Sequence, residues 1–242
     1  MPTYVITGAN RGLGLEFIRQ LSSPSNSNIL IACVRSTSTD TNDLESVITK
    51  SNSSTKVYIE VCDTSSVDSI KNFASGLPSV LGSTDSQIHY LLNSAGQNSV
   101  PNQTSISLNP SDVLAEIQIN VIGPAKLTEY LLPHLRKGSV VMNMTSGLGS
   151  MQKSKTIDPP ICTTYSISKA GLNMLTVHQA GQLKERGVAV FCMDPGWVKT
   201  RMGGEGADLE PEESIKSMLE IIHRKEGLSG NFFEYSGKEV PW

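Results

Sequence analysis

The chain has 242 residues, 20 Lys and Arg against 23 Asp and Glu, and a formal net charge of −3. That length suffices to bury both faces of one α/β sheet, while the charge offers no basic field for nucleic acid or an anionic membrane, and neither partner is expected. No stretch is long and apolar enough to cross a bilayer, and Met1-Pro2-Thr3 leads into an apolar run without a charged leader, so the expected location is cytoplasmic.

Short apolar or β-branched runs predict strands over 3–7, 28–34, 56–61, 88–93, 139–145, 188–193 and near 230–235. Between them, helical periodicity predicts helices over 12–22, 41–50, 65–76, 110–136, 163–186 and 211–225. The alternation predicts a single domain over 1–242: a doubly wound α/β fold of Rossmann type, with a seven-stranded, mostly parallel sheet and helices on both faces. The Ser-, Asn- and Thr-rich stretches 22–28, 36–42 and 51–55 read as solvated loops.

The first strand runs into Thr7-Gly8-Ala9-Asn10-Arg11-Gly12-Leu13-Gly14 and then a helix with Leu13, Phe17, Ile18 and Leu21 on one stripe. A glycine-rich strand-to-helix turn aims free backbone N–H groups and the helix dipole at one point, which suits a pyrophosphate. Gly8, Asn10, Arg11, Gly12, Leu13 and Gly14 are therefore candidate dinucleotide contacts. At the end of the second strand an NAD site needs a carboxylate for the ribose 2′-hydroxyl, whereas a 2′-phosphate needs a cation. Arg35 stands there and Arg11 reaches the same point, so the expected cofactor is NADP(H); as plain surface residues both would simply be solvated.

The third strand ends at Asp63-Thr64, the fourth at Asn93-Ser94-Ala95-Gly96 and the fifth at Ser146. Asn120 lies within the expected helix 110–136, and Tyr165 and Lys169 stand at i and i+4 of the next, on one face. The sixth strand ends at Asp194-Pro195-Gly196-Trp197-Val198-Lys199-Thr200. Cys33, Cys62, Cys162 and Cys192 are too scattered for a metal or redox pair and read as buried thiols, no histidine is assigned to catalysis, and no metal is expected. The sequons at Asn52, Asn102 and Asn143 read as chance matches.

From Thr7 to about Thr200 this ordered set resembles the classical short-chain dehydrogenase/reductase family, and within it most the carbonyl reductases of the sniffer and C-factor group. The resemblance implies Asp63 and Thr64 at the adenine, Asn93, Ala95 and Gly96 along the adenine-side ribose, and Pro195, Gly196, Val198 and Thr200 at the nicotinamide. It implies Tyr165 as general acid, Ser146 as second donor to the carbonyl oxygen, Lys169 on the nicotinamide ribose, and Asn120 holding a water that links Lys169 to solvent. Lys169 favours the Tyr165 phenolate by its charge, and Asp194 reads equally as a strand-end cap.

Two departures stand out. Ser94 replaces the family's Asn, and Ser146 to Tyr165 is 165 − 146 = 19 positions, longer than usual, which predicts an added loop over 149–160 beside the site. The expected reaction is NADPH-dependent reduction of a small hydrophobic aldehyde or ketone, with alcohol oxidation or a non-catalytic dinucleotide-binding sensor as alternatives. Gln97, Met151, Trp197 and Met202 are expected at the substrate, the glycines of 203–206 as a lid, and a homodimer or homotetramer through the two long helices.

Overall fold

The structure, a computed structural model, describes residues 1–51, 54–157 and 161–242. Seven strands form one sheet: β1 (Thr3–Thr7), β2 (Ile29–Val34), β3 (Lys56–Val61), β4 (Ile88–Asn93), β5 (Leu135–Met144), β6 (Ala189–Asp194) and β7 (Phe232–Glu234). Their order is β3-β2-β1-β4-β5-β6-β7, and every neighbouring pair is parallel. The expected "mostly parallel" sheet is thus parallel throughout among the named strands.

Side chains alternate across such strands with a period of two, so each strand feeds two cores. Tyr4 and Ile6, Leu30 and Ala32, and Val140 and Met142 face one helix layer, formed by α1 (Gly12–Leu21), α2 (Asn42–Lys50) and α8 (Pro211–Ile222). Val5, Ile31, Leu91 and Val141 face the other, formed by α3 (Val67–Leu81), α5 (Gly123–Leu131) and α7 (Thr163–Leu183). The strands read as continuous apolar runs because both of their faces are covered.

The expected helix over 110–136 forms as one helical run that ends earlier, at Leu131, and carries a π turn within it. α4 (Pro110–Ile117) passes into a five-residue π-helical segment, Gln118–Ile122, before α5, and Leu135 already belongs to β5. Gly123 and Pro124 open α5, where the missing proline N–H costs nothing at a new first turn. A Cβ on Gly123 would stand 2.6 Å from the Thr64 carbonyl oxygen, so α5 lies closer to the end of β3 than any side chain permits. Helix α3 starts and ends later than expected: Ser66 caps it by accepting from the Ser69 N–H, and Gly82 stops it in the left-handed region at φ +72°.

Of the added stretch 149–160, Met151–Ser154 forms one helical turn, α6, capped by Ser150. The C-terminus ties it down: the Ser150 hydroxyl donates to the Pro241 carbonyl at 2.5 Å and the Gln152 N–H to the Trp242 carbonyl at 3.2 Å. Pro159 and Pro160 of that loop, and the sequon residues Asn52 and Ser53, lie outside the described residues. Asn143 is fully buried in β5, which closes its sequon to any glycan, and all four cysteines are buried free thiols.

Candidate functional site

A cavity of about 560 Å³ runs along the carboxyl ends of the parallel strands, where open α/β sheets place their ligands. At its centre is the turn after β1. Gly8 and Gly12 sit in the left-handed region (φ +67° and +55°), and a Cβ on Gly14 would lie 2.2 Å from the Gly8 carbonyl oxygen, so only glycine closes this turn. Arg11 caps α1 in an extended conformation without a side-chain bond, which leaves the helix N-terminus open to the cavity. The Ala95 N–H donates to the Thr7 hydroxyl at 2.9 Å, holding the loop after β4 against this turn.

One rim is cationic. Arg11, Arg35 and Arg201 all line the cavity, and among the described residues none has an ion-pair partner. Partial burial, then the Arg201 and Arg35 charges, lowers the proton affinity of Arg11. Three guanidinium groups crowded without an anion are a ready site for a phosphate. Asp63 bends the chain after β3 by accepting from the Ser65 N–H (2.9 Å) and hydroxyl (2.7 Å), and Asn10 donates to the Asp40 carbonyl at 3.2 Å.

The other end holds Tyr165 and Lys169 on one face of α7, with the Lys169 Nζ 5.4 Å from the Tyr165 ring centre. Lys169 is buried and donates to the Met144 carbonyl at 2.7 Å. Gly149 lets α7 approach, since a Cβ there would stand 2.9 Å from Lys169. Burial lowers Lys169 to about 8, against an opposing pull from Cys192 and Glu116. Burial likewise drives the Tyr165 phenol upward, with Asp194, Cys162 and Glu116 acting the same way. With burial the largest influence, Tyr165 holds its proton in the protein alone.

Ser146 stands two residues past the end of β5, and its Oγ accepts the Leu148 N–H at 3.2 Å, leaving its O–H free to donate. Asn120 is fully buried in the π-helical segment; it accepts from the Gln97 N–H (2.8 Å) and donates to the Gln97 carbonyl (2.8 Å) and the Ser168 hydroxyl (2.9 Å). A Cβ on Gly96 would lie 3.4 Å from both Asn120 Oδ1 and Lys169 Nζ, so the two converge there.

Most expected contacts line the cavity: Gly8, Asn10, Arg11, Gly12, Leu13, Gly14, Arg35, Asp63, Thr64, Ala95, Gly96, Tyr165, Lys169, Pro195 and Thr200. Asn93, Asn120 and Val198 are buried and do not line it, and the half-buried Ser146 and Gly196 flank it without lining it. Asn93 donates to Asn143 at 2.7 Å, Gly196 donates its N–H to Asp194 at 3.0 Å, and Val198 is buried in a bridge to Leu209. Of the expected substrate residues, Gln97 and Met202 line the cavity, whereas Met151 and Trp197 are exposed outside it. The 203–206 glycines are tethered, with Trp197 Nε1 donating to the Gly203 carbonyl at 2.8 Å and the Gly204 N–H to the Thr200 carbonyl at 3.0 Å.

Sequence reasoning missed Cys62, Ser65, Asn98, Ser99, Ile119, Met144, Thr145 and Arg201 as lining residues. All but Ile119 adjoin a motif at a strand's carboxyl end, and that position was the available signal. The set suits an extended dinucleotide: an open helix N-terminus and glycine floor at the centre, cations at one rim, and a phenol and an amine at the other.

Comparisons with known proteins agree. The sequence model of the short chain dehydrogenase family matches residues 2–210. C-signal of Myxococcus xanthus is 37% identical over 138 residues, spanning 54% of this chain and 80% of that protein. The crystal structure of NADPH-bound carbonyl reductase from chicken fatty liver superposes with a TM-score of 0.87 at 28% identity, covering 100% of this chain and 99% of that one. Carbonyl reductase Sniffer of D. melanogaster gives 0.88 at 27% identity, with 100% of both chains covered. On its fold, the layout of its cavity and this match, the chain belongs to the short chain dehydrogenase family of oxidoreductases.

Proposed function

We propose that this oxidoreductase reduces an aldehyde or ketone to the alcohol with NADPH, and that residues 1–242 act as one NADP-binding domain. One observation carries the reading: the Tyr165–Lys169 pair shares a cavity with Arg11, Arg35 and Arg201, and no carboxylate stands at the end of β2. The likeness to two carbonyl reductases, one of them with NADPH bound, supports it.

Gly8, Asn10, Gly12, Leu13 and Gly14 would hold the pyrophosphate, Arg11 and Arg35 the 2′-phosphate, and Asp63 and Thr64 the adenine. Asn93, Ala95 and Gly96 would shape the adenine-side ribose site, and Pro195, Gly196, Val198 and Thr200 the nicotinamide end. Bound there, the cofactor supplies a hydride.

As negative charge grows on the carbonyl oxygen, Tyr165 donates its proton, which its raised proton affinity keeps in place beforehand. The Ser146 O–H gives that oxygen a second hydrogen bond, its own lone pair already engaged by Leu148. The Lys169 ammonium stabilises the phenolate that remains, and the proton returns through Lys169 and a water at Asn120. The substrate is a small hydrophobic carbonyl compound bounded by Gln97 and Met202, the protein works in the cytoplasm, and copies associate through α4, α5 and α7 as a dimer or tetramer.

The test is a fluorescence titration with NADPH and NADH, followed by absorbance assays of both against a carbonyl panel. Tighter NADPH binding and Tyr165-dependent oxidation of NADPH are the expected results. Tight binding without turnover would favour the sensor alternative, and preference for NADH would overturn the reading of Arg11 and Arg35.

A further inference from the structure

One turn from Asn120 lies a buried carboxylate that has no part in the proposed proton path. Glu116 stands in α4, one turn before Asn120 and on the same face, and is 0% exposed. Its Oε1 accepts from both the Ser99 N–H (2.7 Å) and the Ser99 hydroxyl (3.1 Å). Asn120 accepts from the Gln97 N–H and donates to the Gln97 carbonyl, so the two side chains together hold residues 97–99. That segment lines the cavity with Tyr165 and Lys169.

The other oxygen, Oε2, is buried without a hydrogen-bond partner. The helix carrying Glu116 and Asn120 runs alongside α7 in the same direction, since Asn120 meets Ser168 and Val121 meets Gly171. One turn earlier on both, Glu116 comes level with Thr164, itself fully buried with an unpartnered Oγ1, and with the turn that carries Tyr165. Burying a carboxylate is costly, and an acceptor for Ser99 needs no charge, because a glutamine oxygen would serve.

We propose that Glu116 is a positioning residue for the Lys169–Tyr165 pair: it fixes residues 97–99 against the Asn120 face and sets a buried carboxylate level with the turn that carries Tyr165, as a counter-charge to Lys169. This deepens the reductase reading and rests on its assignment of Lys169. The carboxylate acts on both partners in the sense required, favouring the protonated Lys169 and the protonated Tyr165. Titratable groups around it are Cys162, Tyr165 and Lys169 on or capping α7, and Asp112 on its own helix, bonded to Gln103. Cys192 and Asp194 of β6 act on the same pair, and residues 97–101 contribute none.

The test is a pH titration of the full chain labelled with ¹³Cε-lysine, with Lys169 assigned by its absence in Lys169→Arg. Lys169 is expected to titrate near 8, to fall by about one pH unit in Glu116→Gln, and to stay near the wild-type midpoint in Glu116→Asp. A purely structural acceptor gives the opposite order, with Gln tolerated and Asp disruptive; that result, or unmoved midpoints in both variants, overturns the proposal. If Glu116→Gln does not fold, Glu116→Asp against Glu116→Asn makes the same charge comparison at constant length. The titration needs neither cofactor nor substrate, so a protein that reduced no carbonyl would end the reductase reading while this measurement still decided the role of Glu116.

Discussion

At the scale of single residues, the site sets a proton donor beside a buried amine. Tyr165→Phe removes the proton and leaves the cavity wall, so NADPH-dependent turnover is expected to fall by about 10³-fold. NADPH affinity, read by fluorescence titration, should stay within a few-fold of wild type. Lys169 gives a pH signature of two opposite signs. Its ammonium is present below about 8 and lost above, so kcat for reduction should decline as pH rises through that value. Folding stability responds the other way: between about 8 and the ordinary lysine value the unfolded chain binds a proton the folded chain does not, so this residue's share of stability rises with pH. Thermal melts of wild type and Lys169→Met over pH 7–10 should show that rise only in wild type. Charge at the rim decides the cofactor: Arg35→Asp should weaken NADPH binding by about 10- to 100-fold, the worth of a charge-assisted hydrogen bond, and bring NADH binding up. Equal loss for both cofactors would place Arg35 outside the 2′-phosphate site.

At the scale of elements, the turn between β1 and α1 is the part with least room. Gly14→Ala sets a methyl 2.2 Å from the Gly8 carbonyl oxygen, which is backbone and cannot swing aside. The variant should lose about 1–3 kcal/mol of stability in denaturant melts and bind NADPH poorly, because relief of the clash spreads the same turn that presents the N–H groups. A variant as stable and as tight-binding as wild type would show that the turn has slack. This turn was legible in the sequence because glycine spacing reports backbone conformation directly. The π turn at Asn120 was not. Residues 110–136 have helical periodicity throughout, whereas the π turn coincides with the side chain of Asn120 bonding Gln97 and Ser168, contacts 23 and 48 positions away. The same long-range logic orders the added loop: its turn at Met151–Ser154 is anchored by Pro241 and Trp242, which no local pattern ties to it.

At the scale of the whole molecule, the two ends of the sheet carry different tasks. Carboxyl ends of the strands open on the cavity, while at the opposite end Tyr4 stacks on Tyr90 at 4.5 Å and bonds His223 at 3.0 Å. Partial burial, then the Lys225 charge, lowers the proton affinity of His223. The unfolded chain therefore takes up that proton first as pH falls, and stability should drop below about pH 6.5, the ordinary histidine value. His223→Gln should flatten that drop in thermal melts while leaving the alkaline fall of kcat untouched, since the residue lies at the far end of the sheet from Lys169. A variant that moved both would mean the ends are coupled. Among the described residues no helix is long and apolar enough to cross a membrane, in keeping with the sequence.

The sequence by itself determined the strand and helix alternation, the parallel sheet, the glycine turn, the cationic end of β2 and the ordered Ser146, Tyr165 and Lys169. Each is written in local periodicity, in residue-specific backbone geometry or in the order of motifs. Only the tertiary structure decided which residues share the cavity. Asn93 and Asn120 turn into the protein to bond Asn143 and to bond Gln97 and Ser168, Arg201 joins Arg11 and Arg35 across a loop, and Glu116 comes to hold Ser99. These depend on helices packing side by side, and on the desolvation that packing imposes, neither of which has a signature within a window of neighbouring residues.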